Sequence, residues 1–303
     1  MHASRFAMRD TPFSGSPART QSVSCIEDFG QPGHNRLTFP FIDPLREYRW
    51  NDRPADLPPG VESIWIYGGP HASLSAQTLT GHWKACLAIF RQWGADGHVA
   101  SIQLRILGPV TQPSGNGEAR GLEIIAARLF PECAIPLLGL RPSEISDLTP
   151  DWPYPLRIAA DTICKLAETG APAELIAGQL SQLIRQKSET SAPKDNAITA
   201  ALRAIRGNNG DLSITDLPKR VGLSERSLRR ASLDHLGLSA KSYARFVRHQ
   251  KLVQTMIKLP RPDWAGLALD FGYSDQAHMV RETKAMSGLT PRSLHIQRTG
   301  LSR

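Results

Sequence analysis

Apolar residues follow two different rhythms along this chain, and the rhythm changes near residue 155. Between residues 37 and 130 they come as short runs broken by turn residues. Residues 61–67 (VESIWIY) stop at Gly68-Gly69-Pro70, residues 86–90 (CLAIF) follow, and residues 102–106 (IQLRI) alternate with period two. Residues 121–130 read as a further strand. Short strands at this spacing predict a β-rich domain, either a sandwich or a barrel. From Pro155 onward the apolar positions take helical spacing. They predict a helix over 156–168, closed by Gly170, and another over 172–186 with Leu175, Ile176, Gln179, Leu180 and Leu183 on one side. Residues 187–195 (KSETSAPKD) have the chemistry of a linker. Residues 1–35, rich in Ser, Pro, Arg and Gly, read as a flexible tail.

Beyond the linker the helical rhythm continues, and it repeats. Val221-Gly222-Leu223-Ser224, Leu228, Arg230 and Gly237-Leu238-Ser239 recur as Phe271-Gly272-Tyr273-Ser274, Met279, Arg281 and Gly288-Leu289-Thr290. The offset is 50 residues up to the serine and 51 after it. Each copy reads as a short scaffold helix, a tight glycine turn and a second helix. In the first, Ser213-Ile214-Thr215-Asp216 has capping-box spacing, Ile214, Leu217 and Val221 line one side of the scaffold helix, and Ser224 caps the second helix. The second copy begins near Asp263, with Trp264, Leu267, Ala268 and Phe271 apolar. Its recognition helix opens at Ser274-Asp275 with Met279 inward and Gln276, Ala277 and His278 outward. Between the copies, residues 239–258 keep an unbroken helical pattern. Tyr243, Phe246, Val247, Gln250, Val253 and Ile257 form its stripe, and Arg245, Arg248, His249 and Lys251 lie mostly off it. Leu259-Pro260-Arg261-Pro262 stops that helix, and Thr290-Pro291 starts a last one. Twenty residues of helix span about 30 Å, close to the ~34 Å of one turn of B-DNA. The connecting helix therefore suits two recognition helices that meet one duplex about a turn apart.

Charge points the same way. Residues 194–303 hold 19 Lys and Arg against 9 Asp and Glu, a surplus of ten. The preceding residues hold 17 against 19, and the whole chain is +8. A basic surplus confined to one segment is the footprint of a polyanionic partner. Arginine dominates it, and the guanidinium fork suits phosphate oxygens and guanine edges. The remaining composition mainly excludes. There is no unbroken apolar run long enough to span a bilayer, and residues 1–22 lack a signal-type apolar core, so a cytoplasmic protein without a membrane partner is expected. Cys25, Cys86, Cys133 and Cys164 are scattered and form no zinc-ligand spacing, so reduced thiols and no metal site are expected. His71, His82 and His98 form no close pair. Trp65, Trp83 and Trp93 either line a ligand pocket or belong to the core and edge of the sheet. No catalytic residue, cofactor or effector site is assigned.

At these residues the sequence resembles the AraC/XylS family of bacterial transcription regulators. Residues 270–294 (DFGYSDQAHMVRETKAMSGLTPRSL) carry the closest likeness, which extends over residues 196–297. The resemblance implies an α+β chain. Its C-terminal all-α domain (196–303) would be seven helices carrying two helix-turn-helix units on one long helix. The β-rich part (36–186, with its C-terminal helices) would be a sensor or dimerisation domain, often a cupin-like barrel in such proteins. By position, the DNA-contacting residues fall on Arg226, Ser227, Arg229, Arg230, Gln276, Ala277, His278 and Arg281. Double-stranded DNA and RNA polymerase are the implied partners, with a small-molecule effector and a second copy of the chain as further ones. The chain departs from the family pattern in three places. Ser232 and Thr283 stand where an aromatic is usual, so Leu233 and Met286 are expected to repack. Pro218 stands inside the first scaffold helix, where it removes a backbone donor. The stretches 129–133, 137–140 and 144–147 resemble a domain found in some of these regulators. The helices over 156–186 would then supply a dimer interface or pack on the sheet. Two other functions compete with this reading. An alkyl-DNA repair protein needs a clustered, activated thiolate, which dispersed cysteines do not provide. An architectural DNA binder predicts little discrimination between sites.

Overall fold

The structure, a computed structural model, describes residues 48–49, 56–74, 78–79, 84–109, 114–115, 119–191 and 196–300. The tail over 1–35, Cys25, His82 and Trp83 lie outside these residues, as does most of the second half of the expected linker.

The N-terminal part is built on antiparallel strands: β1 (Tyr48–Arg49), β2 (Val61–Gly68), β3 (Ser73–Leu74), β4 (Thr78–Leu79), β5 (Cys86–Trp93), β6 (Val99–Leu107), β7 (Ser114–Gly115), β8 (Ala119–Arg120) and β9 (Leu122–Leu129). Five of them form one sheet in the order β1-β2-β9-β5-β6, and β3-β8 and β4-β7 pair as short ribbons. Both faces of the main sheet are apolar. Ile64, Ile66, Leu87, Ile89, Ile106, Ile125 and Ala127 face a layer of helices. Trp65, Tyr67, Cys86, Ala88, Phe90, Leu122, Ile124 and Ala126 form a second cluster on the opposite face. This double burial is why β2, β5 and β9 read as continuous apolar runs, and why Trp65 is wholly buried. Only β6, at the end of the strand order, keeps the half-buried residues that its alternating sequence announced. Its outer edge is closed by the segment around Trp152. The Ile106 amide donates to Pro150 O (2.8 Å) and the Trp152 amide to Leu104 O (3.2 Å), and the Trp152 indole donates to Arg105 O (3.0 Å).

Helices α1 (Pro131–Leu138), α2 (Tyr154–Ala159), α3 (Asp161–Glu168) and α4 (Ala173–Thr190) follow, with a 3-10 turn at Pro142–Glu144. The single helix expected over 156–168 is two. The chain leaves helical geometry at Ala160 (φ −94, ψ 10), which lets Ile163 and Ala167 turn inward. Tyr154 and Ile158 stay in solvent, 74% and 60% exposed. Helix α4 is longer than expected and runs to Thr190, four residues into the stretch read as linker. Its buried stripe is Ile176, Ala177, Leu180, Leu183, Ile184 and Ser188. Leu175 is 46% exposed and Gln179 half-buried, so the stripe is rotated from the one expected. Ser188 anchors the end of α4 by donating to Pro59 O (3.0 Å).

The C-terminal helices are α5 (Ala197–Gly207), α6 (Leu217–Arg220), α7 (Glu225–Leu236), α8 (Ala240–Met256), α9 (Trp264–Asp270), α10 (Gln276–Ser287) and α11 (Pro291–Thr299). They bury two separate clusters. Ile198, Leu202, Leu217, Leu228, Leu236, Tyr243 and Val247 belong to the first. Leu252, Met256, Leu267, Ala268, Tyr273, Met279 and Leu294 belong to the second. Helix α8 serves both, the first with Tyr243 and Val247, the second with Leu252 and Met256. At 100° per residue the step from Val247 to Leu252 turns the inward side by about 140°. A single stripe down this helix, as the sequence suggested, therefore misses Leu252 and Met256.

The two parts meet at α1. Glu132 is 3% exposed, and its carboxylate accepts both terminal nitrogens of Arg206 from α5, Nη1 at 2.7 Å. The Arg206 guanidinium also lies over the Phe130 ring at 4.5 Å and reaches the Tyr243 hydroxyl of α8 at 3.5 Å. Burial above all, with the Glu132 charge, pushes the Tyr243 hydroxyl up to about 12 against the opposing pull of Arg206. Beside this joint, Gly237 at the end of α7 packs so close to Ser143 that a Cβ there would lie 2.9 Å from the serine Cβ.

Candidate nucleic-acid interface

The first helix-turn-helix unit is α6 and α7. Its scaffold helix is one turn, four residues, because residues 214–216 form turns rather than helix. The expected capping box at Ser213 is therefore absent. The Ser213 hydroxyl pairs with Thr215 instead (2.8 Å), and Asp216 occupies the N-cap without a side-chain bond. Pro218 falls in the first turn, where its missing N–H is one that a helix leaves unpaired in any case, so it disrupts nothing. Gly222 makes the turn at φ +69, a conformation that favours glycine. Ser224 then caps α7 by accepting from the Ser227 amide (3.1 Å).

The second unit is α9 and α10. Asp263 caps α9 by accepting from Ala265 (3.1 Å), and Gly272 makes the turn at φ +67. Asp275 caps α10 by accepting from the His278 amide (2.6 Å). That bond, with help from Ser274 and Arg281, holds its carboxyl below the usual range. The one-residue difference in repeat offset now has a place. Unit one caps on Ser224, two residues past its glycine, and unit two on Asp275, three past. Counting from the caps, Arg226 matches Ala277, Ser227 matches His278, Leu228 matches Met279, Arg230 matches Arg281 and Ser232 matches Thr283. Gln276 therefore stands one position nearer its cap than Arg226 does. Both helices are 12 residues long and end on a left-handed glycine, Gly237 at φ +75 and Gly288 at φ +74.

Of the residues expected to touch DNA, Arg226, Ser227, Arg229, Arg230, Gln276, Ala277 and Arg281 are exposed and His278 is half-buried. Arg226, Arg229 and Arg230 make no ion pair or hydrogen bond with any described residue, so their donors are available to a ligand. His278 is more committed. Its Nδ1 lies 3.1 Å from the Ser274 hydroxyl, its ring meets Tyr273 edge-on at 5.4 Å, and its Nε2 is 3.8 Å from Glu282.

The basic residues of α8 do something the sequence did not suggest. Arg245 pairs with Glu282 of α10 (2.6 Å). Arg248 donates to Gly272 O in the second unit's turn (3.0 Å) and to Gly210 O after α5 (3.2 Å). It also lies 5.5 Å from the Tyr273 ring. Arg248 thus ties the loop that leads into the first unit to the turn of the second. His249 was expected off the apolar stripe, yet it is 2% exposed. Neither ring nitrogen has a hydrogen-bond partner among the described residues, and burial, with Arg298 near, pushes it down to about 4. These corrections share one cause: a helix packed between two units has little outside left. No local signal marks Arg248, because its partners are loop carbonyls 24 and 38 residues away.

At the family's aromatic positions, Ser232 and Thr283 are wholly buried, and neither hydroxyl has a partner among the described residues. Met286 is buried as expected, but Leu233 is 43% exposed and does not repack. The described cysteines are poorly suited to nucleophilic chemistry. Burial pushes the Cys133 thiol up to about 12 and raises Cys164 as well. No group of three His, Cys, Asp or Glu able to hold a metal occurs among the described residues, and none of their helices is long and apolar enough to cross a membrane.

Comparison with known proteins places this region. Residues 217–295 match a family model described as a helix-turn-helix domain. No match was found among curated proteins. Among solved structures, a transcriptional regulator with an AraC-type DNA-binding domain from Chromobacterium violaceum aligns at 24% identity over 35% of this chain and 95% of its own, with a TM-score of 0.32. ToxT from Vibrio cholerae aligns at 9% identity over 77% of this chain and 96% of its own, with a TM-score of 0.42. ToxT bound to an unsaturated fatty acid aligns at 9% over 79% and 96%, with a TM-score of 0.40. The family match spans both glycine turns and both recognition helices, where the signature residues of the sequence also lie. The C-terminal helices of this chain form a helix-turn-helix domain of the AraC type.

Proposed function

We propose that this chain is a sequence-specific transcription regulator that reads two stretches of one DNA major groove, through α7 and α10. The observation that carries the reading is the pair of recognition helices on one connecting helix, with Arg226, Arg229 and Arg230 exposed and unpaired on the first and Gln276 and Arg281 exposed on the second. Arginine reads guanine and glutamine reads adenine by bidentate contacts worth about 1–3 kcal/mol each. Arg230 and Arg281, at matching positions, serve backbone contacts that set register. Helix α8 is 17 residues, about 26 Å long, and its Arg248 clamp fixes the spacing between units. In this proposal the seven C-terminal helices (196–303) are the DNA-binding domain. The sheet and its helices (36–186) are a cupin-like sensor or dimerisation domain joined to it by 187–195. RNA polymerase and a second copy of the chain are partners, and the protein works in the cytoplasm without enzymatic chemistry of its own.

The test is selection of the full-length protein on random duplex DNA at near-physiological salt. Two half-sites about one turn apart support the reading. Enrichment of a single half-site overturns the bipartite part, and binding without enrichment favours an architectural role.

A further inference from the structure

A cavity of about 460 Å³ opens where the end of the main sheet meets the turn between α3 and α4. That is within the range of small-molecule sites. It lies on the helix-covered side of the sheet, away from the second apolar face. Its apolar walls are Ile66, Pro70, Pro172 and Ala173. Its polar floor is a row across three strands, in which Gly68 and Arg91 both register opposite Glu123. The cation of that row is already used. Arg91 is 1% exposed and gives Nε to Glu123 Oε2 (2.6 Å), Nη2 to the same oxygen and Nη1 to Ala171 O (2.6 Å). Its guanidinium covers one face of Trp93 at 4.6 Å, and Gly170 closes on the indole so tightly that a Cβ would lie 3.3 Å from it.

The carboxylates are less fully used. Both Arg91 contacts fall on Glu123 Oε2, while Oε1 turns toward Gly69, where even an added Cβ would remain 3.9 Å away. Glu123 is 6% exposed, so this oxygen is a nearly buried acceptor beside Gly69 in the cavity lining. Glu174, on the rim, is exposed and makes no ion pair or hydrogen bond with any described residue. Arg91, Glu123 and Glu174 together leave the lining with one net negative charge. The start of α4 adds about half a positive charge at most, which does not reverse the sign. Burial above all, and to a lesser degree the neighbouring Glu174 charge, pushes Glu123 above the usual carboxylate range in spite of Arg91 and Trp93.

We infer that this cavity binds a small organic amine, its ammonium held between Glu123 Oε1 and Glu174 and its apolar body against Ile66, Pro70 and Pro172. The binding stands by itself; a regulatory consequence for DNA rests on the function proposed above. Calorimetry of the full-length protein with phenethylamine, 2-phenylethanol and 3-phenylpropionate tests it, because the three probes share a body and differ in charge. Phenethylamine should bind at least about tenfold more tightly than the alcohol, and 3-phenylpropionate should not bind. Glu174→Lys, an exposed change that leaves the buried Arg91–Glu123 pair intact, should abolish amine binding. Glu174→Gln should weaken it about fivefold. Equal binding of amine and alcohol, preference for the carboxylate, or an unchanged affinity in folded Glu174→Lys overturns the proposal. Calorimetry without DNA reads this site alone, so its failure leaves the DNA-reading proposal standing, and failure of the duplex selection leaves this one standing.

Discussion

Three residue types in the C-terminal helices show how burial decides what a side chain does. Ser232 and Thr283 occupy matching positions with buried hydroxyls that lack partners among the described residues. An unsatisfied buried hydroxyl costs about 1–3 kcal/mol. Ser232→Ala and Thr283→Val should therefore be neutral or raise stability by about 1 kcal/mol in urea titration; a clear loss would show that each hydroxyl has a partner. His249 shows burial acting on a proton. Its folded value, about 4, lies below the ~6.5 of an unfolded histidine. The unfolded chain therefore takes up a proton first as pH falls. The full stability is present above ~6.5 and is lost progressively toward ~4, by about 3 kcal/mol at most. His249→Gln should flatten the dependence of the urea midpoint on pH in that window. Parallel curves for the two proteins would rule the histidine out as its source.

At the scale of elements, the helix-turn-helix units were legible because their determinants are local. Caps, glycine turns and apolar spacing all act within a few residues, and Ser224, Gly222, Gly272, Asp263 and Asp275 do what their types dictate. The face of α8 was not legible, because two cores claim it at different angles. Its polar residues are correspondingly structural. Arg248→Ala should cost about 2 kcal/mol, since charged hydrogen bonds to two carbonyls disappear. It should also weaken bipartite DNA binding more than binding to either half-site; equal weakening of both would remove Arg248 as the stitch between units. The recognition helices carry a separable prediction. Arg226→Ala and Gln276→Ala should each relax base preference by about 1–3 kcal/mol, at positions about one turn apart in repeated duplex selection. Overlap of the affected base pairs would sink the bipartite reading.

Across the whole molecule, the joint at Glu132 and Arg206 connects the sheet to α5 and α8. Breaking a buried ion pair by removing one partner costs about 3–5 kcal/mol, because the other charge is left buried. Glu132→Ala should turn a single calorimetric unfolding transition into two, with the C-terminal helices melting separately. One unchanged transition would show that the apolar contacts of α1 suffice. Phosphate contact is also a property of the whole surface. Lys241 is exposed at the start of α8, and Lys241→Ala should weaken DNA binding uniformly across sequences and flatten the salt slope by about one unit. An unchanged slope places it outside the interface.

The sequence by itself determined the division into a sheet and a helical region, the repeat, the caps at Ser224 and Thr290 though not the one expected at Ser213, and the exposed arginines, since each follows from residues close together along the chain. That both faces of the sheet are buried was decided by the tertiary structure, although the apolar stretches 64–67, 86–90 and 124–127 lie in its doubly buried strands. Tertiary structure alone decided which way α8 faces, that Arg248 and Glu132 are joints, that Arg91 is bound up while Glu174 is open, and that α4 runs on to Thr190. Those outcomes depend on partners 24 to 129 residues distant. Periodicity reports only whether a residue is turned inward, and not what it meets there.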